Sequence, residues 1–163
     1  PVLVGIDGST CAQAAAAIAF DEAAQRGVGV VAMHAWKDVS AFDSAVSFAG
    51  RGWPALHAKA ETVLDEQLRP WLERYPDVPV RREIVRDDDP ARILVDMSGS
   101  AQLVVVGSHG RGGFAGMLLG SVSSAAVLLA RVPVIVARQR KAGGESPSVK
   151  ARSRRSGDSC APS

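Results

Sequence analysis

The sequence predicts an α/β protein, an open parallel five-stranded sheet with helices on both faces. Three observations carry this prediction. Short β-branched runs alternate with longer segments of helical period over residues 1–138. Most of the strand-like runs are near-continuous apolar segments, as strands covered on both faces are, and the fourth is almost wholly apolar. A glycine-rich stretch follows the fourth run, at the edge where such sheets hold ligands.

The elements follow in chain order. Residues 2–6 (VLVGI) form a first strand, and Asp7, Gly8 and Ser9 form a turn. Thr10 with Gln13 fits a capping box, opening an Ala-rich helix over 10–26 that Gly27 ends. A second strand covers 28–35, and residues 36–54 are irregular. Leu56, Ala60, Val63, Leu64, Leu68, Trp71 and Leu72 then recur at spacings of three and four, one apolar face of a second helix. Tyr75 and Pro76 stop it, and residues 79–86 give a third strand. In the run Asp87-Asp88-Asp89, Asp89 is placed to cap a short helix with Pro90 at its first position. Ile93, Leu94 and Met97 face inward on that helix. A fourth strand covers 102–106. A last helix over 121–131 carries Val122, Ala125, Ala126, Leu128 and Leu129 as its apolar positions, and a fifth strand covers 133–138.

Composition narrows the classes. Apolar residues make up 47% and charged residues 22%, so a collagen-like, disordered or rod-like chain is excluded. No run of about 18 apolar residues occurs to cross a membrane as a helix. The two cysteines, Cys11 and Cys160, form no CxxC, which argues against a disulfide framework or zinc ribbon. With no basic-then-apolar leader before them, two free thiols in a reducing cytoplasm are expected. Residues 139–163 hold six Lys/Arg and two Asp/Glu, a net of +4 in a chain of +2, leaving residues 1–138 at −2. The basic pI therefore belongs to this tail, which is too polar to fold alone, and the body is not expected to bind nucleic acid. Domain organisation is thus one body over 1–138 and a basic, disordered tail over 139–163.

The chemistry concentrates in the glycine stretch. Six of the fourteen residues 107–120 are glycine, and twelve residues separate Gly107 from Gly120, where a plain strand-to-helix loop needs about 2–6. Glycines let main-chain N–H groups approach a ligand, and successive N–H groups make an anion-binding nest. The helix opening at Gly120-Ser121 adds unpaired N–H groups and the positive end of its dipole. These parts suit a polyphosphate. The same glycines could serve only as turns, with Ser121 as an ordinary cap. Competing motifs fail. No GxxxxGK[ST] or GxSxG occurs, and the GxGxxA of Gly27 to Ala32 leads into a strand instead of leaving one. His34, His57 and His109 lie in unrelated segments without metal-ligand spacing, so no metal site is expected.

Gly107-x2-Gly110-x9-Gly120-Ser121, with Asp7 just past the first strand, resembles the ATP-binding signature of the universal stress protein family. VLVGIDGS, Met33-His34-Ala35-Trp36, VVVGSHGRGG and LLGSVSSAAVLLARVPVIVA resemble the family in order, across residues 1–138. The chain most resembles one half of the mycobacterial and actinobacterial tandem members, and its start at Pro1 fits a cut between halves. The resemblance implies a Rossmann-like, adenine nucleotide α-hydrolase-like sheet of order 3-2-1-4-5. It implies ATP, with Mg2+ able to accompany it, as the ligand. Asp7 would stand beside the ribose or phosphates, and Gly5 and Gly8 beside it would also contact the nucleotide. The backbone at Ala35 would read the adenine edge, and Val106 and Gly107 would line base and ribose. Gly110, Gly120, Ser121 and Val122 would cradle the phosphates, with Arg111 able to neutralise them. Val134, Ile135, Val136 and Ala137 would form a homodimer interface or pair with a second domain of the same kind.

No catalytic residue is assigned. Phosphate donors are present, but the loop contains no lysine and no water-positioning base. The expected role is a nucleotide-dependent stress-response module with at most slow ATP hydrolysis. An adenine-nucleotide hydrolase is the rival enzyme reading, and the turn at Asp7-Gly8-Ser9 lacks the SGGxDS pattern of that group. A dimerisation domain that binds no nucleotide is the third reading, and the intact glycine spacing opposes it.

Overall fold

β1 (Val2–Gly5) runs through the middle of the sheet, with β2 (Val30–Trp36) on one side and β4 (Leu103–Gly107) on the other. β3 (Val80–Arg86) lies outside β2 and β5 (Val134–Ala137) outside β4, giving the order β3-β2-β1-β4-β5, all parallel. The predicted order and helical cover are therefore observed. The computed structural model describes residues 1–36, 52–86, 89–110 and 118–138. Expectations for the tail at 139–163, the segment 37–51, Asp87, Asp88 and Arg111 lie outside the described residues.

The helices are α1 (Thr10–Arg26), α2 (Gly52–Arg74), α3 (Pro90–Ser98) and α4 (Ser121–Leu129). Side chains alternate across a strand, and β1 splits accordingly. Val2 and Val4 join the core under α1 and α2, while Leu3 joins the core under α3 and α4. On the first face α1 contributes Ala15, Ala16, Ala19, Phe20 and Ala23, so a smooth alanine surface lies against the strands. Leu64 and Leu68 of α2 close that core, as their four-residue spacing predicts. Burying Phe20, Leu64 and Leu68 stabilises the fold by roughly 2–3 kcal/mol each. On the second face Leu94 of α3 and Ala126 of α4 pack on Leu3, Val31, Val104 and Val106.

One local expectation is corrected, and one helix shows which of its apolar positions are buried. The cap of α1 is Ser9, not Thr10. The Asp7 carboxylate accepts the Ser9 N–H at 2.9 Å, and the extended Ser9 then accepts the Ala12 N–H at 3.1 Å through its hydroxyl. Gln13 does not close a capping box; its side-chain amide donates to Gln67 of α2. On α4, Leu128 and Leu129 point outward, 78% and 62% exposed. Ser123 and Ala126 occupy the buried face, and Val122 packs beside it. The cap at Asp89 with Pro90 at the first position is observed, its carboxylate accepting the Arg92 N–H at 3.0 Å. Among the described residues no helix is long and apolar enough to cross a membrane.

Gly27 ends α1 in the left-handed conformation, φ 63°, its N–H turned back to the Ala23 and Ala24 carbonyls. A Cβ there would meet nothing within 4 Å, so any cost of substitution is conformational and not steric. Gly27→Ala is expected to lower stability by about 1 kcal/mol, and Gly27→Asn by less, in urea denaturation. Equal stability of all three chains would show that the cap does not constrain the helix.

Candidate functional site

Winding reverses between β1 and β4, and the loops beyond their carboxyl ends part to leave a cavity of about 430 Å³. Its apolar walls are Met33 and Ala35 of β2, Val106 of β4, and Pro90 and Leu94 of α3. Its polar end is lined by Asp7, Ser9, His109, Gly110 and Ser121, with Gly120 beside them. Small residues make the space. A Cβ on Gly5 would meet Leu94 Cδ1 at 3.3 Å. One on Gly107 would lie 2.8 Å from Cys11 main chain and side chain, so this glycine lets α1 start hard against β4.

Ser108, 3% exposed, ties four elements together. Its N–H donates to the Ala137 carbonyl at 2.7 Å, joining the ends of β4 and β5. Its carbonyl accepts the Gly120 N–H at 2.7 Å and the Ser123 hydroxyl at 3.0 Å, anchoring the start of α4. Its hydroxyl lies 3.6 Å from Cys11 Sγ on α1 and 3.2 Å from His109 Nδ1. The turn after β1 is bound to the same loop. The Ser9 hydroxyl donates to the His109 carbonyl at 3.3 Å, and a Cβ on Gly110 would stand 2.5 Å from Asp7 Oδ2. Asp7 is thus brought against the glycine loop, as the sequence places it.

α4 enters the cavity with its amino terminus. Gly120 is the N-cap, with no side chain to satisfy the first turn. The first intrahelical bond is Ser124 N–H to the Gly120 carbonyl at 2.9 Å. The N–H groups of Ser121, Val122 and Ser123 therefore have no acceptor within the helix, and the positive end of its dipole faces the cavity. The Gly120 N–H is already used on Ser108, so Gly120 serves by its missing side chain. A Cβ there would lie 3.6 Å from His109 Cα and the Ser108 carbonyl, ordinary contact.

Of the residues singled out from the sequence, Gly5, Asp7, Ala35, Val106, Gly107, Gly110, Gly120, Ser121 and Val122 line the cavity together. Gly8 does not line it; at φ 82° it makes the turn that carries Asp7 to Ser9. Val134, Ile135, Val136 and Ala137 form β5, which among the described residues pairs only with β4 and so borders the sheet. Sequence reasoning missed Met33, Pro90, Leu94 and His109 as lining residues. The alternation Met33-His34-Ala35 carries a signal for Met33, which must share a face with Ala35. It also missed His34, 3% exposed, whose Nδ1–H donates to the Ile6 carbonyl at 2.7 Å and so fixes the backbone leading into Asp7. Among the described residues no group of three His, Cys, Asp or Glu gathers to hold a metal ion.

The site can now be set beside known proteins. The universal stress protein family model matches residues 1–138. Universal stress protein Rv2005c of Mycobacterium tuberculosis is 60% identical over 139 residues, 85% of this chain and 45% of that protein. The chain spans about half the length of the curated relatives it matches. A universal stress protein crystallised in complex with cAMP superposes with a TM-score of 0.62 at 23% identity, covering 83% of this chain and 94% of that one. A family protein of Arabidopsis thaliana with AMP bound gives a TM-score of 0.55 at 16% identity, covering 86% and 92%. These two show a shared fold. With the family model spanning the whole sheet and its cavity, the chain belongs to the universal stress protein family.

Proposed function

We propose that the cavity binds an adenine nucleotide, ATP foremost, and that this domain acts as a nucleotide-dependent regulatory module with at most slow hydrolysis. One observation carries the reading: an apolar cleft and an uncapped helix amino terminus share a cavity of about 430 Å³, within the ordinary range for small-molecule sites. The base fits between Met33, Ala35, Leu94 and Val106, with its polar edge read by β2 backbone. Asp7 stands where a ribose hydroxyl can donate to it. The N–H groups of Ser121 and Val122 take the phosphates, with the Gly110 turn across from them. Mg2+ belongs to the triphosphate it accompanies, since the described residues gather no ligand set of their own. The cAMP and AMP complexes of the two fold relatives support the choice of adenylate.

A second domain completes the arrangement we propose. Among the described residues no strand pairs with the outer edge of β5, and beside it α4 carries Val127, Leu128 and Leu129, 51%, 78% and 62% exposed. Apolar edges of this kind are stabilised by pairing with another strand. In this reading β5 and the outer face of α4 meet their counterparts in a second copy or a second domain of the family.

Purified chain, denatured and analysed by mass spectrometry, is expected to release adenine nucleotide, or to bind added ATP in calorimetry. No binding at millimolar ATP would leave only the dimerisation reading. AMP and pyrophosphate formed at many turnovers would favour the hydrolase. Gly120→Ala is expected to keep the melting temperature, because its methyl fits the free protein, and to weaken ATP about tenfold by filling the gap between Gly110 and α4. Unchanged affinity would remove the phosphates from that gap. In sedimentation the chain is expected to run as twice its 17.0 kDa, and Leu128→Lys with Leu129→Lys to return it to a monomer. A wild-type monomer at high concentration would contradict the interface.

A further inference from the structure

We propose that His34 makes the cavity selective for the base: by holding the Ile6 carbonyl with its ring, it keeps the Ala35 main chain out of the sheet ladder and available to the nucleotide. The inference rests on the nucleotide reading and names the residue behind its base selectivity.

Main-chain groups alternate in direction along a strand. On β2 the Val30 N–H donates toward the β3 side, to the Pro79 carbonyl at 2.8 Å, and the Met33 carbonyl accepts the Ile6 N–H from the β1 side at 2.8 Å. Ala35, two residues past Met33, therefore turns its N–H and carbonyl toward the β1 side. β1 and β2 pair in register as far as Gly5 with Met33. One more step of a parallel ladder would bring the Ala35 N–H to the Ile6 carbonyl. That carbonyl is held by His34 Nδ1–H at 2.7 Å. Among the described residues the bond from Ile6 N–H to Met33 is the last main-chain bond between the two strands. The chain then leaves the sheet at Asp7, and Ala35 lines the cavity with Gly5, Ile6 and Asp7.

The ring works from the far face of the sheet. Side chains alternate as well, so His34 lies opposite Met33 and Ala35, which line the cavity. Its surroundings are Ile6 and, across on β3, Ile84, both part of the packing under α1 and α2. His34 is 3% exposed, and Ile6 is 2% exposed. Breaking their bond would strand a buried donor and a buried acceptor, so the ring stays on the carbonyl. His34 is thus a positioning residue, acting on the ligand through Ile6 and Ala35.

The chemistry of the base edge sets what this arrangement selects. One residue's N–H and carbonyl offer one donor and one acceptor. Adenine presents an acceptor at N1 beside a donor at its amino group, which this pair matches. Hypoxanthine carries N1–H beside an oxo group, with donor and acceptor exchanged, and sets like groups against the pair. Without the ring, the Ile6 carbonyl takes the Ala35 N–H, the ladder grows by one bond, and the discrimination is lost.

The test is calorimetry of ATP and of inosine triphosphate with the full chain, with the melting temperature followed alongside. Wild type is expected to prefer ATP by roughly tenfold or more. His34→Leu, which suits the apolar surroundings but has no donor, is expected to bind the two within about twofold of each other. His34→Asn, whose side-chain nitrogen is as many bonds from the main chain as Nδ1, is expected to restore the preference while its smaller volume lowers the melting temperature. A role in packing alone would not separate selectivity from stability in this way. A preference kept in folded His34→Leu, or lost in folded His34→Asn, overturns the proposal and leaves the proposed function standing. Equal binding of the two nucleotides by wild type does the same, and binding of neither removes both. Amide exchange in wild type needs no variant to fold: the Ala35 N–H is expected to exchange faster than the Met33 N–H in the free chain and to slow with ATP. Protection of Ala35 equal to that of Met33 in the free chain shows the ladder closed and overturns the proposal.

Discussion

The carbonyl of Ser108 holds the site together. It accepts from the Gly120 N–H and from the Ser123 hydroxyl, while the N–H of the same residue reaches the Ala137 carbonyl. A loop whose two ends are twelve residues apart is thereby closed at its base, whatever the residues between do. Closing it there aims the first turn of α4 at the cavity. The backbone of this buried serine also satisfies the Gly120 N–H and the Ala137 carbonyl, groups that cost about 1–3 kcal/mol each when buried without partners.

From that junction the division of the cavity follows. Glycine at 107 brings α1 against β4, and the Asp7 carboxylate, held by the Ser9 N–H, is carried to Gly110. The polar end thus combines one carboxylate with main-chain donors. The apolar end is assembled from β2, α3 and β4, elements that contribute to the core under α3 and α4. Core and cleft are continuous, so the packing that stabilises the domain also shapes the cleft. The same α4 that ends in the cavity at Gly120 shows exposed leucines one turn beyond its middle. The rim of the cavity and the exposed apolar residues thus share one short helix.

Much of this was legible in the residues. Continuous apolar runs identified buried strands, and Asp89-Pro90 and Gly27 marked helix ends by chemistry that has few alternatives. The glycine spacing located the cavity, and nine residues chosen from sequence line it. What escaped was decided by tertiary structure. Ser9 and Thr10 are adjacent hydroxyls, and only the Asp7 bond to the Ser9 backbone selects the first as cap. Six apolar positions in a nine-residue helix do not reveal which face is inward, and only the structure shows Leu128 and Leu129 facing outward. Pro90 and Leu94 reach the cavity from a helix distant in sequence, and His109 lines it on a backbone whose carbonyl accepts the Ser9 hydroxyl. The Gly120 N–H donates to protein, a detail that no spacing of glycines expresses.

The central claim is that freed main-chain amides gather around a triphosphate at the carboxyl rim of β1 and β4. A crystal structure of the chain grown with ATP tests it most directly. The account predicts adenine between Met33, Ala35, Leu94 and Val106, with phosphate oxygens on the Ser121 and Val122 N–H groups. Density for ATP elsewhere, or a rim filled by the protein's own atoms, would contradict it.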